Sequence, residues 1–309
     1  MSIKHLRDLS SNWGIEISNS AKLSERATLI TSNNGERYVL KQKESVEKAI
    51  NEIKLLLRID KQDFKVHLPI QTNGGEYYYC SDDVVYCIYN YLDGQTFKAI
   101  DTVKNTSIHE LLGSSIAQLH QVLKQVSNDI QFPKKNLYNQ VFDWAVQEIL
   151  NNEENQDLTS IYHTLQVDLK NVIHDLSQQL IHRDAHIYNV IIQKDRLAGF
   201  VDFDIVEHNV RLFDICYCST SVLNEVFSDE ALREKWFDFI KNLFASYHTV
   251  NPLSEVERKS VALVMLSIQT IFMAFFMNIP TLFNANKKMF LWLHENKERI
   301  LKHSTQMVE

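Results

Sequence analysis

The most restrictive feature of this chain is the stretch IHRDAHIYNVIIQKDRLAGFVDFD, residues 181–204. Two short apolar runs lie within it, and acids, amides and histidines stand at their borders. Turn-forming residues near Lys194 to Arg196 separate the runs, so the pattern predicts a two-stranded hairpin. A carboxylate at the end of an apolar strand is costly unless it faces an ion or a cleft. The sequence therefore predicts that this hairpin carries a functional site.

The polar residues before the first run have the spacing H-R-D-x-x-x-x-N, which here places His182, Asp184 and Asn189. That spacing is typical of the catalytic loop of kinases. Phosphoryl transfer to a hydroxyl needs a carboxylate that orients the acceptor and takes its proton, and it needs oxygen ligands for Mg²⁺. We expect Asp184 to be the catalytic carboxylate and Asn189 to be a metal ligand.

The second apolar run ends in Val-Asp-Phe-Asp at residues 201–204. Asp202 stands where the metal-binding aspartate of an Asp-Phe-Gly motif would stand. We therefore expect the hairpin to bring Asn189 and Asp202 to one Mg²⁺ ion. Asp204 replaces the glycine of that motif, and it is either a second metal ligand or a cap for the following turn.

The sequence up to about residue 92 has the pattern of a small antiparallel sheet. In ATLITSNNGERYVLK, residues 27–41, the Asn-Gly pair predicts a β-hairpin because both residues tolerate positive φ. A second pair of β-rich runs follows after the turn-like TNGG. Between the pairs, residues 45–59 have apolar side chains at helical spacing, and Ser45 is a suitable N-cap.

From about residue 107 the apolar spacing is helical throughout, apart from the hairpin described above. A mainly β first part and a mainly α second part predict an α+β fold with a boundary near residues 91–97. The most apolar stretch, residues 261–280, is interrupted by polar side chains, so we expect a buried helix rather than a membrane span.

The β-rich part offers candidate nucleotide contacts. The strand ending in YVLK matches the V-A-I-K pattern, whose lysine holds the α- and β-phosphates, so we assign that role to Lys41. Glu52, on the following helix, is the preferred partner of Lys41, and Glu47 is the alternative. Near the boundary, the Asn90 carbonyl and the Leu92 N–H are predicted to contact adenine.

The ordered set of motifs resembles the aminoglycoside phosphotransferase and choline kinase family, with its spore-coat-kinase-like and homoserine-kinase-like relatives. The resemblance covers nearly the whole chain and rests on the following segments: YVLK, the helix after it, LGSSIAQLHQVL, HRDAHIYN, VDFD and RLFDICY. It implies a bilobal protein-kinase-like fold. Residues 1–92 would form the nucleotide-binding lobe. Residues 93–309 would form a helical lobe with the catalytic loop, metal site and acceptor pocket.

The resemblance also implies ATP and Mg²⁺ as cofactors and a small-molecule hydroxyl as acceptor. Relatives often carry H-G-D-x-H-x-x-N in the loop, and His186 fills the second histidine position, so His182 and His186 are expected to support Asp184. The equivalent of Asp214 in relatives helps to hold the loop after the metal site. The alternative role for Asp214 is the N-cap of the helix that begins near Leu212.

The phosphate-covering loop should lie near SNSAKLSER, residues 18–26, which contains no glycine. Ser20, Ser24 and backbone N–H groups would then have to contact phosphate. Ile187 and Tyr188 stand where relatives often carry Pro-Gly. These departures keep an alternative open, namely a catalytically weak or inactive kinase-like protein that binds a ligand or acts as a scaffold.

The sequence favours a small acceptor over a protein, because RLFD follows Asp202 within a dozen residues and leaves no room for an activation loop or an A-P-E motif. The acidic run at residues 151–157 would suit an amine-rich antibiotic, although a solvated surface is the commoner role of such a run. Trp144, Tyr217, Trp292 and the Phe-rich residues 272–276 would line a pocket or belong to the helix core.

Composition narrows the partners. A formal net charge of −7 and a pI near 6.0 argue against nucleic-acid and anionic-membrane partners. Four cysteines without a C-x-x-C pair, and a start without an apolar signal segment, predict a cytoplasmic protein. We expect a monomer or a homodimer.

Overall fold

The computed structural model describes residues 3–127, 130–152 and 156–306 of the chain. The chain divides into two compact units, neither of which is one continuous stretch. The first unit contains the described residues of Met1–Gln95, Val126–Gln131 and Ile191–Asp204. The second contains those of Thr96–Gln125, Phe132–Val190 and Ile205–Glu309.

The first unit is built on a five-stranded antiparallel sheet of order β1-β2-β3-β5-β4. Its strands are β1 (Ile17–Lys22), β2 (Ala27–Ser32), β3 (Arg37–Lys43), β4 (Tyr79–Ser81) and β5 (Val84–Asn90). Its helices are α1 (Ile3–Ser10), which a short 3₁₀ helix follows, and α2 (Val46–Asp60). The hairpin predicted at Asn-Gly joins β2 to β3, and Ser45 caps α2 by accepting a hydrogen bond from the Lys48 N–H.

One face of this sheet forms an apolar core with α1. Leu6 and Leu9 of α1 pack with Ile30 of β2 and Leu40 of β3. Because side chains alternate along a strand, Lys41 must face the opposite side of the sheet. The sheet register thus separates a buried apolar face from a face that carries charged groups.

The hairpin predicted from the opening stretch is present, with strands β7 (Val190–Gln193) and β8 (Arg196–Phe200). Lys194 and Asp195 form its turn, both with positive φ. Gly199 of β8 allows a close backbone approach, since a Cβ there would lie 2.7 Å from Leu92 Cδ1 and 2.9 Å from the Lys65 carbonyl oxygen.

The second unit is mainly helical. Its helices are α3 (Ala99–Thr102), α4 (Thr106–Val126), α5 (Leu137–Asn139), a π-helical turn (Gln140–Ala145), α6 (Val146–Asn152), α7 (Gln156–Val172), α8 (Leu212–Val226), α9 (Glu230–Val250), α10 (Glu255–Lys259), α11 (Val261–Phe275), α12 (Pro280–Glu295) and α13 (Lys297–Thr305). A two-stranded antiparallel sheet pairs β6 (Gln178–Ile181) with β9 (Glu207–Val210). The predicted α+β class, with an antiparallel β part before a helical part, is confirmed.

The apolar stretch that begins at residue 261 folds as α11, and most of its side chains are buried. None of the helices in the described part of the chain is long and apolar enough to cross a membrane. A separate short helix, α10, precedes α11. The two separate at Ser260, whose ψ of 2° departs from helical geometry.

Candidate active site

Asp184 lies in the loop between β6 and a 3₁₀ turn, Ile187–Asn189, and its carboxylate is held from two sides. Asn189 Nδ2 donates to Asp184 Oδ2 and to the Asp184 carbonyl oxygen, both at 2.9 Å. His186 Nε2 lies 3.4 Å from Asp184 Oδ1. The Asp184 N–H donates to Nδ1 of the buried His182 at 3.3 Å. The expected catalytic loop residues are therefore brought together around one carboxylate.

Both ring nitrogens of His186 have polar neighbours. Its Nδ1 accepts the Tyr188 N–H at 3.2 Å, and its Nε2 lies 3.3 Å from the Asn189 amide nitrogen. The ring therefore lies against the same amide that holds the Asp184 carboxylate.

Asn189 has the geometry of a metal ligand. Its amide nitrogen is used by Asp184, whereas its carbonyl oxygen accepts no hydrogen bond from any residue in the described ranges. The side chain is nevertheless buried at 7% exposure. An amide oxygen that no protein donor occupies is the kind of hard ligand that Mg²⁺ prefers.

Asp214 holds the catalytic loop through its backbone. In the first turn of α8, its carboxylate accepts the N–H groups of His182 and Arg183, each at 2.8 Å. His120 Nε2 lies 2.9 Å from the same carboxylate, and His120 Nδ1 lies 2.7 Å from the Tyr247 hydroxyl. The N-cap alternative for Asp214 is wrong, because Arg211 occupies that position and makes no side-chain cap.

Burial acts to raise the pKa of Asp214, but the hydrogen bond from His120 and the neighbouring His182 outweigh it, so the pKa lies below its usual value. A buried anion therefore anchors the loop at neutral pH. The loop needs such an anchor because Arg183 has a left-handed backbone, with φ of 73°. The Arg183 side chain adds support by donating to Glu207 at 3.0 Å.

In the first unit, Lys41 forms an ion pair with Asp202. Lys41 Nζ donates to Asp202 Oδ1 at 2.8 Å. Asp202 follows β8 with φ of 68°, a conformation that is costly for most residues but tolerated by aspartate. The predicted phosphate-binding lysine and the predicted metal-binding aspartate are therefore neighbours in this structure.

Glu52 does not pair with Lys41 as expected. Its carboxylate forms an ion pair with Lys43, two residues farther along β3, and it accepts a hydrogen bond from the Tyr89 hydroxyl at 3.1 Å. Lys43 lies on the same strand face as Lys41 because the two are two residues apart. Glu47, the alternative partner, is exposed.

Asp204 has a role that neither expectation named. Its carboxylate pairs with Lys43, and it lies 4.0 Å from Lys41 Nζ. Burial and the neighbouring Glu52 raise the pKa of Asp204, while the two lysines oppose that rise. Asp204 thus ties the chain just after Asp202 to β3.

Burial and neighbouring charges shift the pKa values of Lys43, Glu52 and His67. Burial acts to lower the pKa of Lys43, but the carboxylates of Glu52 and Asp204 raise it above its usual value. Burial acts to raise the pKa of Glu52, but Lys43 outweighs this and lowers it strongly. Burial lowers the pKa of His67 to about 4. His67 Nε2 is 3.7 Å from Glu52 Oε1, too far for a hydrogen bond, and neither atom has a partner among the described residues.

No group of three or more His, Cys, Asp or Glu side chains is arranged to hold a metal within the described ranges. A kinase-type magnesium site does not need one, because the substrate phosphates and water complete the coordination. The Asn189 carbonyl oxygen and, in the other unit, the Asp202 carboxylate are ligand types that such a site uses.

The sequence profile of the phosphotransferase enzyme family (APH) matches residues 18–250, about three quarters of the chain. The chain belongs to this family. The suspected resemblance is confirmed, and the protein is a small-molecule phosphotransferase with a hydroxyl acceptor. No curated protein matches the sequence.

Solved structures with the same fold span nearly the whole phosphotransferase. An amicoumacin kinase, in complex with AMP-PNP, Ca²⁺ and Ami, has a TM-score of 0.72 at 16% identity, with 99% of this chain and 95% of that chain covered. A microcompartment-associated aminopropanol kinase has a TM-score of 0.75 at 13% identity, with 98% and 100% covered. The GDP complex of an aminoglycoside 2′-phosphotransferase has a TM-score of 0.69 at 15% identity, with 96% and 98% covered.

The predicted adenine contacts of the phosphotransferase lie at the end of β5. The Asn90 side chain accepts the Leu68 N–H, and the Asn90 N–H donates to the Leu68 carbonyl at 2.9 Å. This pair of bonds fixes the chain just before Leu92, which is half-buried.

The two predicted phosphate-contacting serines differ in position, and only Ser24 lies near the cross-strand partner of Lys41, Ala27. Ser20 pairs with Ile30 across β1 and β2, so its side chain faces the apolar side of the sheet. Ser24 closes the turn after β1, where its hydroxyl accepts the N–H groups of Arg26 and Ala27 at 3.3 and 3.1 Å. The strand register decides the position of Ser20, and spacing along the sequence does not reveal it.

A cavity of about 480 Å³ lies in the second unit beside the catalytic loop. His186, Tyr188, Tyr217, Thr220, Ser221, Asn224, Glu225, Gln269, Phe272, Phe276, Leu282, Ala285 and Asn286 line it. Tyr217 and two of the expected phenylalanines therefore do line a pocket. Trp144 is exposed, and Trp292 packs against other aromatic rings of the helical core. Glu153 and Glu154 of the acidic run lie outside the described residues.

Sequence reasoning missed Lys43, His67, Glu225, Gln269 and Asn286. Only Lys43 had a visible signal, because strand alternation puts residues 41 and 43 on one face. The others come from separate helices or loops, and no local pattern connects them.

Proposed function

We propose that this phosphotransferase transfers the γ-phosphoryl group of Mg²⁺-bound ATP to a hydroxyl of a small molecule. The observation that carries the proposal is the Asp184 carboxylate, which Asn189 and His186 hold at the border of a cavity of about 480 Å³. The similar amicoumacin kinase, whose structure is in complex with AMP-PNP, supports nucleotide use.

Asp184 would orient the acceptor hydroxyl and take its proton. The acceptor oxygen forms a bond to the γ-phosphorus, the bond from that phosphorus to the β–γ bridging oxygen breaks, and ADP leaves. The hydroxyl proton passes to the Asp184 carboxylate. The Asn189 amide donates to one carboxylate oxygen and the His186 ring lies beside the other, so little rearrangement is needed at the moment of reaction.

Mg²⁺, when bound, would neutralise the phosphate oxygens. The Asn189 carbonyl oxygen and the Asp202 carboxylate are the proposed protein ligands. Lys41 is the proposed contact to the α- and β-phosphates. The Asn90 carbonyl and the Leu92 N–H remain the proposed adenine contacts, and Ser24 rather than Ser20 remains a candidate in the phosphate turn.

ADP release from Mg²⁺-ATP or Mg²⁺-GTP tests the proposal, with a panel of aminoglycosides, amino alcohols and sugars as acceptors. Asp184→Asn should lower kcat by roughly 10²- to 10⁴-fold, the usual contribution of a general base. Asp195→Asn is the matched control, because Asp195 is an exposed turn residue whose left-handed backbone asparagine tolerates. Full turnover by Asp184→Asn would overturn the assignment.

One observation supports the alternative of a non-catalytic nucleotide-binding or scaffold protein. The N–H groups of Leu23 and Ser24 donate to the Ala27 carbonyl, and those of Arg26 and Ala27 donate to Ser24 Oγ. These N–H groups are thus occupied within the turn. Nucleotide binding without ADP release from any acceptor in the panel would favour this alternative.

A further inference from the structure

All residues that line the cavity beside the catalytic loop belong to the second unit, and one of them, His186, is part of that loop. His186 both lines the cavity and lies 3.4 Å from Asp184. Burial and the nearby Asp184 carboxylate together raise the pKa of Tyr217, which also lines the cavity. A hydroxyl placed at this end of the cavity is therefore close to the proposed base.

The cavity has little negative charge. Glu225 is the only carboxylate among its lining residues in the described part of the chain, and no lysine or arginine lines it. Glu225 is exposed at the cavity mouth and accepts the Tyr188 hydroxyl at 2.6 Å. A single carboxylate matches one ammonium group, whereas a ligand with several ammonium groups would enter with most of its charge unpaired.

A large part of the remaining wall is aromatic. The rings of Tyr217 and Phe272 lie 5.5 Å apart at an angle of 12°. The rings of Phe272 and Phe276 lie 6.3 Å apart at an angle of 20°. Leu282 and Ala285 add apolar surface. Binding to such a wall is strongest for a flat apolar group, because that group displaces water from the aromatic rings.

The floor offers one hydrogen-bond acceptor. Gln269 is 2% exposed, and its amide nitrogen donates to the backbone carbonyl and the side chain of Asn286. The Gln269 carbonyl oxygen accepts no hydrogen bond from any residue within the described ranges. A buried acceptor of this kind is satisfied by a ligand that brings an N–H or O–H group.

We infer that the acceptor is a hydroxylated monoamine with one flat apolar group, rather than a polycationic aminoglycoside. Its ammonium group lies against Glu225, its apolar group lies against Tyr217, Phe272 and Phe276, and a further N–H or O–H group reaches Gln269. This inference rests on the proposed function for the identity of the cavity as the acceptor site, and it deepens that proposal by assigning the acceptor class.

Calorimetric binding to the nucleotide-free protein tests the acceptor class separately from turnover. Three probes are compared: 2-amino-1-phenylethanol, its uncharged counterpart 1-phenyl-1,2-ethanediol, and kanamycin. The amine probe should bind most tightly. Glu225→Gln should weaken the amine probe by at most about fivefold, as expected for an exposed ion pair, and leave the diol unchanged. Glu230→Gln, on an exposed residue at the start of α9, is the matched control.

Replacing Phe272 with Leu should weaken the amine probe and the diol by a similar factor, since both carry the phenyl group. Tighter binding of kanamycin than of the amine probe would overturn the inference, as would no binding of the amine probe at about 10 mM, which is weaker than any useful affinity. Turnover of kanamycin that is insensitive to Glu225→Gln would refute the acceptor class while leaving the proposed function intact. If the probes bind in the predicted order but no acceptor gives ADP release, the proposed function would be refuted and the binding preference of the cavity would stand.

Discussion

Lys43 pairs with the buried carboxylate of Glu52, while Lys41, two residues earlier on the same strand face, pairs with Asp202. The pair of Lys43 and Glu52 is almost fully enclosed, with 3% and 4% of the side chains exposed. Asp202 is 40% exposed. The two lysines therefore have different roles. Lys43 neutralises a buried acid, whereas Lys41 lies beside a carboxylate that solvent can reach.

Lys43→Met should lower the free energy of unfolding by about 3–5 kcal/mol, because the Glu52 carboxylate would remain buried without its partner. Lys41→Met should cost less than about 1 kcal/mol, since solvent screens Asp202. Its main effect should be weaker nucleotide binding. Urea denaturation and nucleotide titration of both variants measure the two effects.

The double variant Lys43→Met/Glu52→Gln provides the control for Lys43. It should recover part of the lost stability, because the uncompensated charge is gone. Equal losses of unfolding free energy in Lys41→Met and Lys43→Met would contradict the different roles assigned to the two lysines.

His67 should make stability depend on pH. Its pKa is lowered to about 4 in the folded protein, against roughly 6.5 in an unfolded chain, so between these values only the unfolded state binds the proton. Stability should be greatest above the upper value and fall as the pH drops toward the lower one, by up to about 1.4 kcal/mol per pH unit. His67→Gln should remove this part of the pH dependence in urea denaturation series.

His163→Gln is the matched control for His67, because His163 is exposed on α7. Its stability profile should follow that of the unsubstituted protein. If His67→Gln and His163→Gln give the same profile between pH 4 and pH 6.5, another group causes the pH dependence.

Asp214→Asn should reduce both stability and turnover. The carboxylate accepts two backbone N–H groups and the His120 ring, whereas an asparagine offers one oxygen and turns an NH₂ group toward donors. A loss of about 2–3 kcal/mol in unfolding free energy is expected from the unsatisfied buried donors. Asp175→Asn, at an exposed position after α7, should change neither quantity. Unchanged kcat in folded Asp214→Asn would show that the loop does not need this anchor.

Asn189→Ala should raise the Mg²⁺ concentration needed for half-maximal activity by about tenfold. That factor is the lower end of the usual loss of metal affinity when a residue that supports a metal site is replaced. It should also lower kcat, since two hydrogen bonds to Asp184 disappear. Asn171→Ala removes an exposed amide on α7 and should leave the Mg²⁺ dependence unchanged. An unshifted Mg²⁺ titration in Asn189→Ala would exclude the amide oxygen as a ligand.

Much of the local architecture could be predicted from the sequence. Asn-Gly chemistry identifies the β2–β3 hairpin, Ser45 identifies the start of α2, and the two apolar runs identify the β7–β8 hairpin. The family follows from ordered motifs. These features depend on neighbours in sequence, so local backbone preference and spacing are sufficient to reveal them.

The partners of the charged groups could not be predicted in the same way. Glu52 pairs with Lys43 rather than Lys41, and Asp214 binds the backbone of the catalytic loop rather than capping its own helix. Ser20 faces the apolar side of the sheet because of its strand register. Each outcome depends on which side chains packing brings within a few ångströms, and burial decides which charges must be paired.

The sequence alone determined the alternation of strands and helices, the hairpin of the opening stretch and the set of chemical groups this phosphotransferase carries. Only the tertiary structure decided which lysine neutralises Glu52, what anchors the loop of Asp184, and how α8, α11 and α12 enclose the cavity. The reason is physical. Backbone preference acts over a few residues, whereas ion pairing and cavity shape arise between segments far apart in the chain.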